Sequence, residues 1–139
     1  LPQLGSERSR RLYSIKTLVE TGASIACSSD WPFGGDYITF NPLDSIQIAA
    51  TRRGVKPPLR DSHAPDQCLD VKTMLDLHTL GSAYADFSEA ESGTIELGKS
   101  ADLAVLDGNI LAMPPGEVAK TRVLMTLFEG KPVWRSPFY

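Results

Sequence analysis

A carboxylate that directly follows a short apolar run is the first place in this chain where chemistry could be done. In Ala23-Ser24-Ile25-Ala26-Cys27-Ser28-Ser29-Asp30-Trp31-Pro32 the small and apolar residues read as a parallel strand covered on both faces. The strand stops where three hydrogen-bonding side chains meet a proline that cannot continue a central ladder. Asp30 therefore stands at the carboxyl end of a buried strand, where α/β barrels and doubly wound sheets place their active sites. Two readings of Asp30 stay open on position alone. It is a catalytic acid or base, or it is a local cap whose carboxylate accepts backbone N–H groups in the turn. Trp31, Phe33 and Tyr37 beyond the strand, and Arg8 near the start of the first helix, could border a substrate pocket. The aromatics could equally pack a long loop.

The other residues with chemical potential read as structural. His63 sits in a polar, proline-containing loop and His78 within a helix, a spacing that fits no zinc site, so they read as a surface and a packing histidine. Cys27 and Cys68 form no Cys-x-x-Cys pair and read as reduced core thiols. The run from Gly93 to Ser100 has the spacing of a phosphate loop. Such a loop follows a strand and opens a helix, whereas the Ala101-Asp102-Leu103-Ala104-Val105-Leu106 that follows here is a β pattern.

The elements that must position these residues can be read in order. Leu12, Ile15, Leu18 and Val19 recur at helical spacing from Glu7 to Thr21, with Ser6 as N-cap and Gly22 at the C-terminal end. Asn41-Pro42-Leu43-Asp44 is a cap, a first-turn proline and an acid, predicting a helix to about Arg53 that Gly54 closes. Residues Val55 to Gln67 read as a surface loop. Asp70 caps a helix that turns Met74, Leu75 and Leu77 or His78 inward, and Gly81 to Phe87 continues it or forms a second one. From Gly93 onward the pattern is β: Ala101 to Leu106, Val123 to Phe128 and Pro132 to Trp134, with Glu129-Gly130-Lys131 as a tight hairpin connection. A sheet of three strands normally needs another layer on its apolar face.

Composition narrows the function classes. The chain has 139 residues, 42% of them hydrophobic, enough for one real core. With 14 Lys and Arg against 17 Asp and Glu the net charge is −3 and no basic run favours nucleic acid. No apolar stretch approaches the ~20 residues of a membrane helix. Neither nucleic acid nor membrane is an expected partner, and a cytoplasmic setting is the default.

The strand-end segment from Thr21 to Pro32 resembles the last barrel strand of the amidohydrolase superfamily, with Ser28 where those proteins often carry glycine. The resemblance continues through Gln47-Ile48-Ala49-Ala50-Thr51-Arg52-Arg53 and through Asp70 to Phe87. Its most specific piece is Ser92-Gly93-Thr94-Ile95-Glu96-Leu97-Gly98-Lys99-Ser100-Ala101-Asp102-Leu103, similar to a Gly-Ser-Ile-x-x-Gly-Lys-x-Ala-Asp-Leu signature with Thr94 for serine. Thr126 to Trp134 matches the closing hairpin. Gly93, Gly98, Lys99 and Asp102 identify the family in structural rather than chemical roles.

The resemblance implies an α/β protein: the C-terminal part of a TIM (β/α)8 barrel over 1–90, and over 91–139 strands of a small composite β-sandwich domain. It implies a metal-dependent hydrolase of C–N, amide-like bonds acting on a small molecule, with a divalent metal, commonly zinc. Asp30 would bind the metal and shuttle a proton from water to the leaving amine. Trp31 and Arg8 are the candidate substrate contacts by their place in the chain, not by the resemblance. The family's other ligands, a His-x-His pair, a mid-barrel lysine or carboxylate and two later histidines, have no counterparts here. The expectation is therefore a C-terminal fragment, inactive and metal-free alone, completed by a missing N-terminal segment or by copies of itself. The competing reading is a non-catalytic assembly module derived from that family.

Overall fold

The computed structural model describes residues 2–32, 39–57 and 61–139, so Phe33 and Tyr37 lie outside the described residues. The first apolar stripe makes two helices rather than the single one expected. A 3-10 turn at Pro2–Leu4 leads into α1 (Gly5–Arg10), and α2 (Ile15–Glu20) follows after Tyr13, which lies at φ 56. Leu4 rather than Ser6 precedes the first turn, and no side chain caps it. The break has a cause far away in sequence: the Arg52 guanidinium donates to the carbonyls of Leu12 and Tyr13, both at 3.2 Å. Those oxygens thus find partners outside the helical ladder. At the other end, Gly22 and Ala23 donate to the carbonyls of Val19 and Leu18 at 2.9 and 3.3 Å, the paired bonds of a Schellman motif.

Helix α3 (Pro42–Thr51) starts as its sequence predicts, with Asn41 Oδ1 accepting from the Leu43 N–H at 3.1 Å. It ends two residues earlier than expected. Arg52, not Gly54, closes it, in the left-handed conformation at φ 56. That conformation is costly for a residue with a side chain, and a third guanidinium bond, from Nε to the His63 carbonyl at 2.9 Å, helps hold it. Helix α4 (Val71–His78) and α5 (Leu80–Ala85) meet at a kink on Thr79.

Asp70 caps α4, its Oδ1 accepting from the Thr73 N–H at 2.8 Å and its Oδ2 from the Thr73 hydroxyl at 2.6 Å. Both bonds favour the carboxylate and hold its pKa below the ordinary aspartate value. Asp70→Ala is expected to cost ~1 kcal/mol of unfolding free energy at neutral pH, read by urea denaturation. Because the folded pKa is the lower one, this contribution is complete above the ordinary value of about 3.9 and is lost as pH falls through the folded value. The gap between wild type and variant should therefore close in acid.

The buried cluster joins Leu43 and Ile46 of α3, Leu69, Val71 and Met74 at and within α4, and Ile110 and Val118 from the chain after the first strand. Ile46 and Val118 are 1% and 0% exposed. A 3-10 helix at Pro115–Lys120 packs on α3, and Gln47 Oε1 accepts from the Ala119 N–H at 2.8 Å.

The β strands are β1 (Leu103–Leu106), β2 (Val123–Phe128) and β3 (Lys131–Arg135), an antiparallel sheet in that order. Glu129 and Gly130 at φ 48 and 74 form the two-residue connection, both positive as a type I′ hairpin requires. Strand β1 begins later than Ala101 because the two residues before it serve the hairpin. The Ala101 carbonyl accepts from Gly130 N–H at 3.0 Å and Asp102 Oδ1 from Glu129 N–H at 2.7 Å. All of β3 is exposed, including Val133 at 62% and Trp134 at 47%, whereas most of β1 and β2 is half-buried, so among the described residues the sheet is open at its β3 edge.

Candidate functional site

The segment that carries Asp30 is extended, but among the described residues it has no strand neighbour, and the expected strand covered on both faces is not formed. Its exposure alternates instead. Ile25, Cys27 and Ser29 are half-buried while Ser24, Ala26, Ser28 and Asp30 are exposed. A period of two is what an extended chain shows when one face is backed and the other open. The backing is the α4–α5 corner. Leu77 at the end of α4 accepts from the Cys27 N–H at 3.1 Å, and the Ser82 hydroxyl donates to the Cys27 carbonyl at 3.1 Å. Gly81 lies so close to Ile25 that a Cβ there would collide with the Ile25 carbonyl oxygen.

Asp30 itself lies at φ 51, a conformation that Asp adopts more readily than most residues but that is still strained. The alternative in which its carboxylate caps the turn is not what forms: Ser28 Oγ accepts from the Asp30 N–H at 3.4 Å and Ser29 Oγ from the Trp31 N–H at 3.3 Å. No donor among the described residues reaches the carboxylate, which is left on the open face. Trp31 is 60% exposed beside it. A cleft of about 330 Å³ lined by Ala26, Cys27, Ser28, Ser82, Ala85 and Asp86 adjoins the segment. The cleft-lining Ser82 and Asp86 were not singled out from the sequence. Their only signal is their place at and just after a helix rich in small residues.

Arg8 is exposed on α1 and its Nε donates to the Leu4 carbonyl at 3.0 Å. His63, expected on the surface, is half-buried between its backbone bonds to Arg52, with Nε2 buried and without a partner among the described residues. His78 is half-buried too, and burial lowers its pKa and favours the neutral ring. Cys27 and Cys68 are free and half-buried, and burial pushes the Cys27 thiol up. Lys99 is no phosphate ligand. Its ammonium donates to the Glu89 carbonyl at 2.7 Å, the Thr94 hydroxyl at 2.6 Å and the Ser92 carbonyl at 3.4 Å, fastening the loop in front of β1. Gly93, at φ 88, is needed in that loop because a Cβ would come within 2.7 Å of the Ala83 Cβ.

A catalytic zinc takes about three protein ligands. Among the described residues no three His, Cys, Asp or Glu side chains lie close enough to hold a metal ion. The described residues by themselves do not fit a catalytic metal; Asp30 would bring a single carboxylate to one.

A sequence model of the amidohydrolase family matches residues 1–134. The chain belongs to this family. Among amidohydrolase relatives, the Bacillus subtilis (strain 168) protein named as the amidohydrolase YtcJ is 30% identical over 134 residues, 96% of this chain and 25% of that protein. The N-substituted formamide deformylase of Arthrobacter pascens is 29% identical over 121 residues, 86% of this chain and 21% of that enzyme. The crystal structure of an amidohydrolase from Thermotoga maritima MSB8 superimposes with a TM-score of 0.60 at 27% identity, covering 88% of this chain and 26% of that one. This amidohydrolase chain thus spans about a quarter of the length of the relatives it matches. Among its described residues no helix is long and apolar enough to cross a membrane.

Proposed function

We propose that this chain is the C-terminal segment of a metal-dependent amidohydrolase that cleaves C–N bonds of amide type in a small molecule, and that Asp30 is its contribution to the chemistry. The observation that carries this reading is the Asp30 carboxylate, without a partner among the described residues on the open face of its segment, in a turn whose backbone N–H groups are met by two serine hydroxyls. A carboxylate so placed can take a proton from water and return it to the departing nitrogen. It would also be one member of a divalent-metal donor set, zinc by family habit, whose other members lie outside the described residues. Trp31 and Arg8 are the proposed substrate contacts.

On this reading the segment 23–30 is the last strand of a (β/α)8 barrel, residues 1–90 belong to that barrel and residues 91–139 to a composite β-sandwich. The segment 23–30, without a strand neighbour among the described residues, and the exposed strand β3 are where an N-terminal segment of the same protein, or a second copy, would complete the fold. The 139-residue chain alone is then inactive.

The test is release of amine from a panel of N-substituted formamides and related amides by the full-length protein, before chelation, after it, and after zinc is restored. Hydrolysis by the full-length protein that chelation abolishes, with none from the 139-residue chain, is the expected pattern. Metal-independent hydrolysis, or comparable turnover by the short chain, would sink the proposal.

A further inference from the structure

A second cavity, of about 640 Å³, lies between the C-terminal half of α3 and the 3-10 helix Pro115–Lys120. Its volume falls within the ~300–1,000 Å³ of small-molecule pockets. It shares no lining residue with the cleft beside Asp30. Ala50, Val55, Pro65 and Ala119 give it an apolar wall.

Two of its polar groups have unspent donors. Gln47 is only 8% exposed, and its Oε1 is engaged by the Ala119 N–H at 2.8 Å, which fixes the carboxamide. Its Nε2 makes no hydrogen bond among the described residues, which leaves that donor open to a ligand. Arg53 is exposed, and among the described residues its guanidinium has neither a hydrogen bond nor an ion pair. Lys120 adds positive charge, since its pair with Glu117 at 3.3 Å is solvent-exposed and weak. Among the described residues no carboxylate lines the cavity.

An apolar wall, a spare amide N–H donor and a guanidinium without a partner among the described residues together suit a ligand with an apolar body and an anionic, hydrogen-bond-accepting head. We propose that this cavity binds a small organic carboxylic acid, with its chain against Ala50, Val55, Pro65 and Ala119 and its carboxylate served by Arg53 and Gln47 Nε2. Arginine suits this role because its planar fork matches a carboxylate. The site is separate from Asp30, so it would act as an effector or accessory site rather than as the reaction centre.

The experiment is calorimetric or NMR titration of the full-length protein with hexanoate and with 1-hexanol, repeated on Arg53→Gln. Arg53 is exposed, so the substitution should leave the fold intact, which circular dichroism verifies. Saturable hexanoate binding at ~1 mM or tighter, weakened at least tenfold in Arg53→Gln and much weaker for hexanol, is the expected result. No saturation with hexanoate, equal affinity for hexanol, or unchanged affinity in Arg53→Gln each overturns the proposal.

Discussion

In the full-length protein Asp30→Asn should leave thermal and urea unfolding unchanged while lowering amide hydrolysis by about 10²–10⁴-fold, the range for loss of a positioned proton-transfer group. Stability should hold because the carboxylate carries no hydrogen bond among the described residues. The turn is held by the serine hydroxyls acting on the backbone N–H groups of Asp30 and Trp31, and asparagine keeps those N–H groups in place. Asparagine is also comfortable at positive φ. What it removes is basicity: an amide oxygen cannot take a proton from water near neutral pH. Turnover that survived the change would assign the chemistry elsewhere. A large loss of stability would mean that the carboxylate has a structural partner.

Gly81→Ala should produce the largest loss of stability from the smallest change in mass. On helix propensity alone the substitution would gain up to ~1 kcal/mol. The new methyl group would instead meet the Ile25 carbonyl oxygen, a backbone atom that cannot rotate away. Either α5 backs off or the 23–30 segment does, and both are tied together by the Ser82 hydroxyl and the Leu77 carbonyl. Overpacking of this kind costs ~1–3 kcal/mol, and urea unfolding of Gly81→Ala should show a net loss in that range. In the full-length protein, activity should fall with it, since the displaced segment carries Asp30. A variant as stable as the parent would mean that the contact is not rigid in solution.

What was legible in the sequence is what local residues decide. Asn41-Pro42 and Asp70 start α3 and α4 because each cap bonds an N–H two or three residues on. The Glu129-Gly130 connection is equally local. The break at Tyr13 and the early end of α3 were not legible, because one guanidinium about 40 positions from Leu12 and Tyr13 decides both. No periodicity within the first 22 residues records that. The 23–30 segment was legible as extended and as the carrier of Asp30. Its burial was not, since covering both faces depends on neighbours that the described residues do not supply. Asp86 and Ser82 escaped notice because only the kink at Thr79 turns their helix toward the segment.

The cradle around Lys99 bears on chemical modification. Its amine is held by three oxygens and its side chain is only 13% exposed, whereas Lys72 and Lys120 are 69% and 75% exposed. An acylating reagent, or an acetyltransferase, meets those two lysines in the folded protein but reaches Lys99 only when the loop ahead of β1 opens. Acylation there would also remove the charge that gathers the Glu89, Ser92 and Thr94 oxygens, so a molecule once modified could not close the loop again in the same way. Lys99 thus makes local opening of this loop an event that leaves a covalent record.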